Sequence, residues 1–184
     1  MPNIGLKHVV GAVLDETGDS PAYSSGMIIG KAISANISIE LAQATLYADD
    51  SVAESIKEFK SGKFTLNTAG LSYAVQAMLL GHTVAADTLT ANSNDFAPYV
   101  GIGFYGSVMR GGVIKYRAVW FGKCMFGEFS DESKTKADSI EFVTPTIEGT
   151  VLRLASGVWK IETTVATEAV ALAWIDNKAG IEAE

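Results

Sequence analysis

A run of strand-forming segments and turns at positions 97–151 constrains the fold more than any other part of the chain. Two segments rich in β-branched and aromatic residues, Tyr99–Val108 and Val113–Phe126, flank Arg110-Gly111-Gly112. A glycine pair between two such segments is typical of a β-hairpin. Proline cannot donate to a central ladder, so Pro145 separates two further predicted strands, Ser139–Thr144 and Thr146–Leu154.

Apolar periodicity predicts the remaining regular elements. Residues 28–41 alternate apolar and polar side chains, which is typical of a strand with one buried and one solvent-exposed face. The apolar residues are Ile33, Ala35, Ile37, Ile39 and Leu41. A short strand is predicted at Lys63–Asn67. The segment Leu71–Leu80 places its large apolar residues on one helical stripe before Gly81, a residue that commonly ends helices. A second helix is predicted at 165–178.

Three stretches lack this regularity. Residues 1–26 are interpreted as an N-terminal arm or edge strand with a loop at 17–26. Residues 42–62 lose the alternation, and 127–138 are charged without a period, so both are predicted as long loops. The pattern as a whole predicts one domain of a mainly β protein with one or two helices (α+β).

Composition argues against several classes of function. The 184 residues carry a net charge of −7, whereas proteins that bind nucleic acid tightly present a basic surface. Cys124 is the single cysteine, so no internal disulfide is possible. Because no basic N-terminal leader with an apolar core and no run of 18 apolar residues is present, we expect neither export nor membrane insertion.

No catalytic, cofactor-binding or metal-binding residue is predicted. Gly101–Gly106 matches G-x-G-x-x-G, but a strand rather than a helix follows it, so these glycines are interpreted as strand glycines. His8, His82 and Cys124 have no metal-site spacing, and His82 follows a helix end where a cation is favoured. The acidic pairs at 49–50 and 131–132 lack the oxygen spacing of a calcium loop.

Six segments resemble the major tail protein of long, non-contractile-tailed phages, the tail tube subunit of siphophages. They follow the family's order and cover nearly the whole chain: Leu46-Tyr-Ala-Asp-Asp50, Leu80-Gly-His-Thr83, Ala97-Pro-Tyr-Val-Gly-Ile-Gly-Phe104, Lys115-Tyr-Arg-Ala-Val-Trp120, residues 134–149, and Trp174-Ile-Asp-Asn-Lys-Ala-Gly180. The resemblance implies a β-sandwich or flattened barrel with extended loops or arms.

The resemblance also implies a role in the virion. Such subunits form rings, typically hexameric, that stack into a hollow tube through which DNA passes during infection. The implied partners are further copies of the chain, a tape measure protein inside the tube, tail tip or initiator proteins, a tail terminator and transiently passing DNA. The chain would be made in the host bacterial cytoplasm and then reside in the phage tail.

Residues are assigned to this role as expectations. The solvent-exposed face of the predicted strand 28–41 is expected to line the channel. One acidic residue per subunit would then repeat around the ring. The candidate channel-lining residues are Ser34, Asn36, Ser38, Glu40 and Glu141. An ordinary solvated face is the alternative. The two long loops would reach neighbouring subunits through Asp49, Asp50, Glu54, Phe59, Asp131, Glu132, Lys134 and Lys136.

Other functions stay open at this point. A β-sandwich binding module of a tail tip would place exposed aromatic residues in a groove, whereas Trp120 and Trp159 are interpreted as core residues. A ligand-binding barrel or enzyme would show a pocket with converging polar groups. The inner tube of a contractile tail-like particle would be built from subunits with the same properties. Only a sheath partner would distinguish such a tube from that of a non-contractile tail.

Overall fold

The computed structural model describes residues 3–48, 51–130 and 144–181. Most of the described residues lie in strands and two helices accompany them, which confirms the mainly β fold with helices. The elements are β1 (Asn3–Asp15), β2 (Ala22–Gly30), β3 (Ala32–Ala48), β4 (Ser51–Thr68), α1 (Tyr73–Leu80), β5 (Thr83–Ala85), β6 (Thr88–Thr90), β7 (Val100–Arg110), β8 (Val113–Phe126), β9 (Thr146–Leu152), β10 (Lys160–Val165) and α2 (Glu168–Ala179).

Eight strands form one antiparallel sheet that forks at Gly122. The sheet order is β2-β1-β7-β8-β9-β4-β3, and β10 also pairs with β8. Residues 116–121 of β8 pair with β10, whereas residues 123–126 pair with β9. The short strands β5 and β6 form a separate hairpin. The fork lets the β9-β4-β3 arm leave the plane of β1, β7 and β8.

The sheet curves over one apolar core and carries a second core on its outer side. Phe64 of β4 lies 6.4 Å from Phe104 of β7, measured between ring centroids, although these strands are not neighbours in the sheet. Alternate residues of β8 face opposite ways, since Phe121 belongs to the first core and Trp120 to the second. Helix α1 packs in the first core and α2 covers the second. This layered packing agrees with the predicted sandwich or flattened barrel.

The predicted N-terminal arm is wrong for residues 3–15. Strand β1 pairs with β2 on one side and β7 on the other, so it is an interior strand. Val9 packs in the first core and Val10 in the second, and both are fully buried. A strand buried on both faces shows a continuous apolar run instead of alternation, which explains the misinterpretation. The predicted loop at 17–26 is also shorter, because β2 begins at Ala22.

Other boundaries shift by a few residues. The predicted strand 28–41 contains the end of β2 and the start of β3, with a break at Lys31 after Gly30, whose φ is +130°. Helix α1 is confirmed and begins after Ser72, whose hydroxyl accepts from the Val75 amide. The predicted helix 165–178 starts later, since β10 runs to Val165. Residues 131–143 of the predicted 127–138 loop and 139–144 strand lie outside the described residues.

Polar contacts attach α2 to β1 and β7. Lys7 Nζ lies 2.7 Å from Glu168 Oε1, and the Tyr105 hydroxyl donates to the same oxygen at 2.9 Å. His8 Nε2 lies 2.7 Å from Asp176 Oδ1. Burial and the neighbouring Glu168 carboxylate raise the pKa of Tyr105 to about 12. The tyrosine therefore stays protonated and able to donate throughout the physiological range.

We expect the attachment of α2 to weaken in acid. The hydrogen bonds from Lys7 and Tyr105 hold the pKa of Glu168 below its ordinary value of 4.5. A lowered folded-state pKa stabilises the fold above 4.5 and loses that effect as the pH falls through the folded value. The melting temperature of the wild type should therefore exceed that of Glu168→Gln at neutral pH, and the difference should close on acidification. A difference that is independent of pH between 7 and 3 would contradict this.

Glycines in β7 make room for the indole of Trp120. A Cβ built on Gly103 would lie 2.5 Å from Trp120 Cε3, and one on Gly101 would lie 2.4 Å from Trp120 Cζ2. Neither residue has a positive φ, so space rather than backbone conformation requires glycine there. The G-x-G-x-x-G pattern thus reflects close packing inside a strand, as the sequence indicated.

Gly103→Ala is expected to lower the free energy of unfolding by about 1–3 kcal/mol, because overpacking moves a fully buried ring. For a chain of this length that is a fall of roughly 2–4 °C in melting temperature per kcal/mol. Gly70→Ala is the matched control, since its added Cβ meets nothing within 4 Å. Equal melting temperatures for the two variants in a thermal scan would contradict the packing argument.

Candidate functional site

The β3–β4 hairpin projects beyond the rest of the sheet. The two strands pair from Ala32 and Thr68 to Ala48 and Ser51, whereas β9 pairs with β4 only over residues 62–67. Residues 41–48 and 51–59 therefore pair only with each other in the described structure; we call this part the ribbon. At about 3.3 Å per residue, eight residues of strand reach roughly 26 Å.

This ribbon corrects the prediction of a long loop at 42–62. Leu41 pairs with Phe59, and Ala44 pairs with Ile56, so the leucine and the isoleucine lie on opposite faces. Leu41 is 54% exposed and Ile56 is 56% exposed. Leu41 and Ile56 thus lie exposed on both faces of the ribbon, so the sequence has no reason to alternate polar and apolar residues at these positions. The loss of polar–apolar alternation therefore reflects a strand pair with two similar faces rather than a loop.

The base of the ribbon is fixed by an aromatic stack. The rings of Phe59 and Trp159 lie 4.7 Å apart with an interplanar angle of 6°. Both side chains pack against the first core, in agreement with the core interpretation of Trp159. Phe59 is thus held within its own subunit, and its predicted contact with a neighbouring subunit stays a prediction.

A polar face covers β3, β4 and β9 on the side opposite the first core. Ser34, Asn36, Ser38 and Glu40 all lie exposed on it, as predicted for one face of a strand. Register pairing places polar residues of β4 and β9 beside them on the same face. We call this surface the polar wall; it consists of Ser34, Asn36, Ser38, Glu40, Ser61, Lys63, Thr65, Asn67, Thr146, Glu148 and Thr150.

Lysines balance the carboxylates of the polar wall. Lys63 Nζ lies 2.8 Å from Glu148 Oε1, and Lys60 Nζ lies 3.6 Å from Glu40 Oε2. Glu40 therefore has a cation beside it, and its predicted place in the channel wall stays a prediction. The wall offers hydroxyls, amides and paired charges. Such a surface has little net attraction for a phosphate backbone.

Both ends of the sheet have an unpaired side among the described strands. β2 and β3 occupy the ends of the order, so each has one neighbour. The free side of β3 is 17 residues long. Long open edges offer backbone donors and acceptors to another strand, and soluble monomers usually protect them. β2 is less regular, since Ser25 has a φ of +54° and the β1–β2 register shifts twice.

The structure does not describe the side chains of the remaining residues predicted for the channel and for subunit contacts. Asp49, Asp50, Asp131, Glu132, Lys134, Lys136 and Glu141 lie outside the described residues. Glu54 lies in the ribbon, where its backbone pairs with Leu46.

His82 joins three separate segments in a way that the sequence did not indicate. Its ring is 5% exposed, with Nδ1 2.9 Å from Asp95 and Nε2 3.0 Å from Glu128. The Asn92 amide and His82 lower the pKa of Asp95. The two carboxylates lie far from His82 in sequence, so no spacing signal could reveal the cluster. Within residues 3–48, 51–130 and 144–181, no group of three ligand side chains could hold a metal ion.

The single cysteine is poorly suited to nucleophilic chemistry. Cys124 is fully buried in the first core, and that burial raises the pKa of its thiol. A thiol needs to ionise to act as a nucleophile, and an apolar surrounding opposes ionisation. Cys124 is therefore a small packing residue of the first core.

Comparison with known proteins provides no family for this chain. No protein-family model matches it, and no curated protein matches it significantly. Neither helix in the described part of the chain has the length and apolar character needed to cross a membrane.

Proposed function

We propose that this chain is a virion structural protein, the major tail tube subunit of a phage, which polymerises as stacked rings into a hollow tube that conducts DNA. The observation that carries the proposal is the ribbon, a two-stranded extension whose strands pair only with each other among the described residues. A lone strand pair is marginally stable in water and gains stability when a further surface packs on it. A neighbouring copy of the chain supplies that surface in every ring.

The open edge of β3 supports the same proposal. Strand addition between copies gives main-chain hydrogen bonds without any specific side-chain motif. A contact between two different surfaces repeats from copy to copy and produces either a closed ring or an open filament. Stacked rings use both outcomes, with closure around the axis and open growth along it.

The polar wall supports a channel role. It is a broad sheet face of small polar residues with paired charges, beside the edge strand that would join the next copy. Strand addition at β3 would continue this face from subunit to subunit. A continuous wall without excess positive charge lets DNA pass without strong binding. The tape measure protein would occupy the same channel before DNA does.

The rival functions have less support among the described residues. Trp120 is 1% exposed, and Trp159 stacks on Phe59 beside the first core. These side chains therefore do not supply the exposed aromatic groove that a glycan-binding module needs. The inner tube of a contractile particle has the same subunit geometry and stays the closest alternative, which a sheath partner would reveal.

Sedimentation velocity across a concentration series tests the proposal. We expect the monomer boundary to give way to faster species as concentration rises, because ring and stack contacts follow mass action. Tail tip proteins should lower the concentration at which this occurs by supplying a nucleus. A single monomer boundary at all concentrations, with and without tail tip proteins, would contradict the proposal.

A further inference from the structure

The β7–β8 hairpin carries positive charge on a chain that is acidic as a whole. Residues 96–127 contain four basic residues and no acidic one, whereas the net charge of the chain is −7. Two of the four cations are paired within the subunit, since Arg117 contacts Glu162 and Lys123 contacts Glu16. The positive charge that has no such partner therefore lies towards the turn of the hairpin.

The end of this hairpin combines the remaining cations with exposed apolar side chains. We call residues 109–115 the tip; in the described structure they pair only within the hairpin. Its cations, Arg110 and Lys115, form no ion pair with any residue that the structure describes. Val113 is 58% exposed and Ile114 is 54% exposed. The tip thus presents apolar surface beside positive charge.

The ribbon presents apolar surface beside negative charge. Ile56 and Glu58 lie exposed on one of its faces, and Ala42 lies opposite Glu58 in the register. Glu58 forms no ion pair within the described part of the chain. Residues 41–59 contain four acidic residues and one lysine. The tip and the ribbon are therefore complementary in charge, and both would bury apolar side chains on contact.

The tip and the ribbon project from the same end of the subunit. Strand β9 is antiparallel to both β4 and β8, so β4 and β8 run in the same direction. Gly62 and Cys124 both pair with Val151, and the two strands begin at similar distances before that level, at Ser51 and Val113. The ribbon contains the start of β4, and the tip contains the start of β8.

This common direction allows the two surfaces to meet between neighbours in a ring. Rotation about the ring axis keeps every copy at the same height and in the same orientation, so surfaces at one end of the subunit lie side by side. Within one subunit the fork places β10 on the edge of β8 that β9 occupies further along. The tip and the ribbon of one subunit form no strand pairing with each other in the described structure.

Nucleic acid is a less suitable partner for the tip. Phosphates would pair with Arg110 and Lys115, but Val113 and Ile114 would stay exposed to water. Two cations also bind a phosphate backbone weakly, because the affinity grows with the number of phosphates neutralised. The ribbon offers both a carboxylate and apolar side chains.

We propose that the tip of one copy docks on the Ile56–Glu58 face of the ribbon of the adjacent copy in the same ring. This contact rests on the proposed tube assembly and specifies how neighbours within one ring recognise each other. Because Arg110 and Lys115 face Glu58 across the contact, assembly depends on their opposite charges.

Charge reversal tests the contact. Arg110→Glu alone and Glu58→Lys alone should each raise the concentration at which faster species appear in sedimentation velocity by roughly fivefold or more, because repulsion replaces attraction at every contact of the ring. The combined variant, Arg110→Glu with Glu58→Lys, should assemble at close to the wild-type concentration. The melting temperatures of the monomers should stay unchanged, since both side chains are exposed.

Arg110→Glu with Asp87→Lys is the matched control. It has the same net charge as the combined variant, but Asp87 lies exposed between β5 and β6, outside the tip and the ribbon. This control should assemble as poorly as Arg110→Glu alone. Equal rescue by Asp87→Lys would overturn the contact, because net charge alone would then explain the effect.

The remaining outcomes separate this contact from the tube itself. Wild-type assembly of both single variants would overturn the contact and leave the tube intact. If Arg110→Glu instead assembles normally and loses binding to a fluorescently labelled DNA duplex, the tip contacts DNA and the proposal is wrong. If the wild type never assembles, with or without tail tip proteins, both the contact and the tube fail.

Discussion

A variant without the ribbon is expected to stay a folded monomer at concentrations where the wild type assembles. Residues 42–58 can be removed by joining Leu41 to Phe59 through Asn-Gly, because these two residues face each other in the register. A two-residue turn of this kind suits the twist of paired strands. The variant keeps the Phe59–Trp159 stack and the pairing of β4 with β9.

The expected effect on assembly is a complete loss of large species, because the ribbon supplies the surface that another copy would cover. The melting temperature should change little, since the removed residues pair only with each other. Light scattering and circular dichroism measure the two properties on the same sample. Unimpaired assembly of this shortened chain would show that the ribbon is not the contact that joins the subunits.

Phe64→Ala is expected to destabilise the subunit by about 3–5 kcal/mol, the cost of removing a buried aromatic ring. Phe64 is fully buried, and its ring lies about 6 Å from those of Phe121 and Phe126. It also lies 6.4 Å from Phe104 across the curved sheet, so it connects the β9-β4-β3 arm to the β1-β7-β8 layer. The melting temperature should fall by roughly 6–20 °C.

Phe96→Ala is the matched control, because the same chemical change there removes a ring that is 87% exposed. It should change the free energy of unfolding of the monomer by no more than about 0.5 kcal/mol, so its melting temperature should stay close to that of the wild type. Thermal unfolding of both variants at low concentration measures the difference. Similar melting temperatures would mean that the first core does not depend on Phe64.

The sequence predicted those elements whose environment differs between their two faces. Strand β3 has a polar wall on one side and the first core on the other, so Ser34, Asn36 and Ser38 alternate with apolar residues. The β7–β8 hairpin was predictable because Gly111 and Gly112 both have positive φ, a conformation that glycine adopts easily. Helix α1 was predictable because its apolar residues share one side and because Ser72 and Gly81 cap its two ends.

The predictions failed where the two faces of a strand are alike. Both faces of β1 are buried, so Val9 and Val10 are equally apolar and the strand resembled an irregular arm. Leu41 and Ile56 lie exposed on opposite faces of the ribbon, so apolar residues there do not mark one face. Period two reports a difference between faces, and it is lost whenever that difference is absent.

The candidate site was predictable only in part. The polar face of β3 follows from alternation, but its continuation across β4 and β9 depends on register between distant segments. The pairing of Glu40 with Lys60 depends on the register between β3 and β4. The cluster around His82 unites residues from three segments and has no local signal. Long-range pairing decides each of these features, and single-sequence periodicity does not encode it.

Negative-stain electron microscopy of the concentrated protein, with and without tail tip proteins, tests the tube proposal most directly. The proposal predicts rings in end view and tubes of uniform width in side view, each with a stain-filled axial channel. Fibres without a channel would show that the open edge of β3 causes simple filament growth. Isolated particles of monomer size under every condition would contradict the tube altogether.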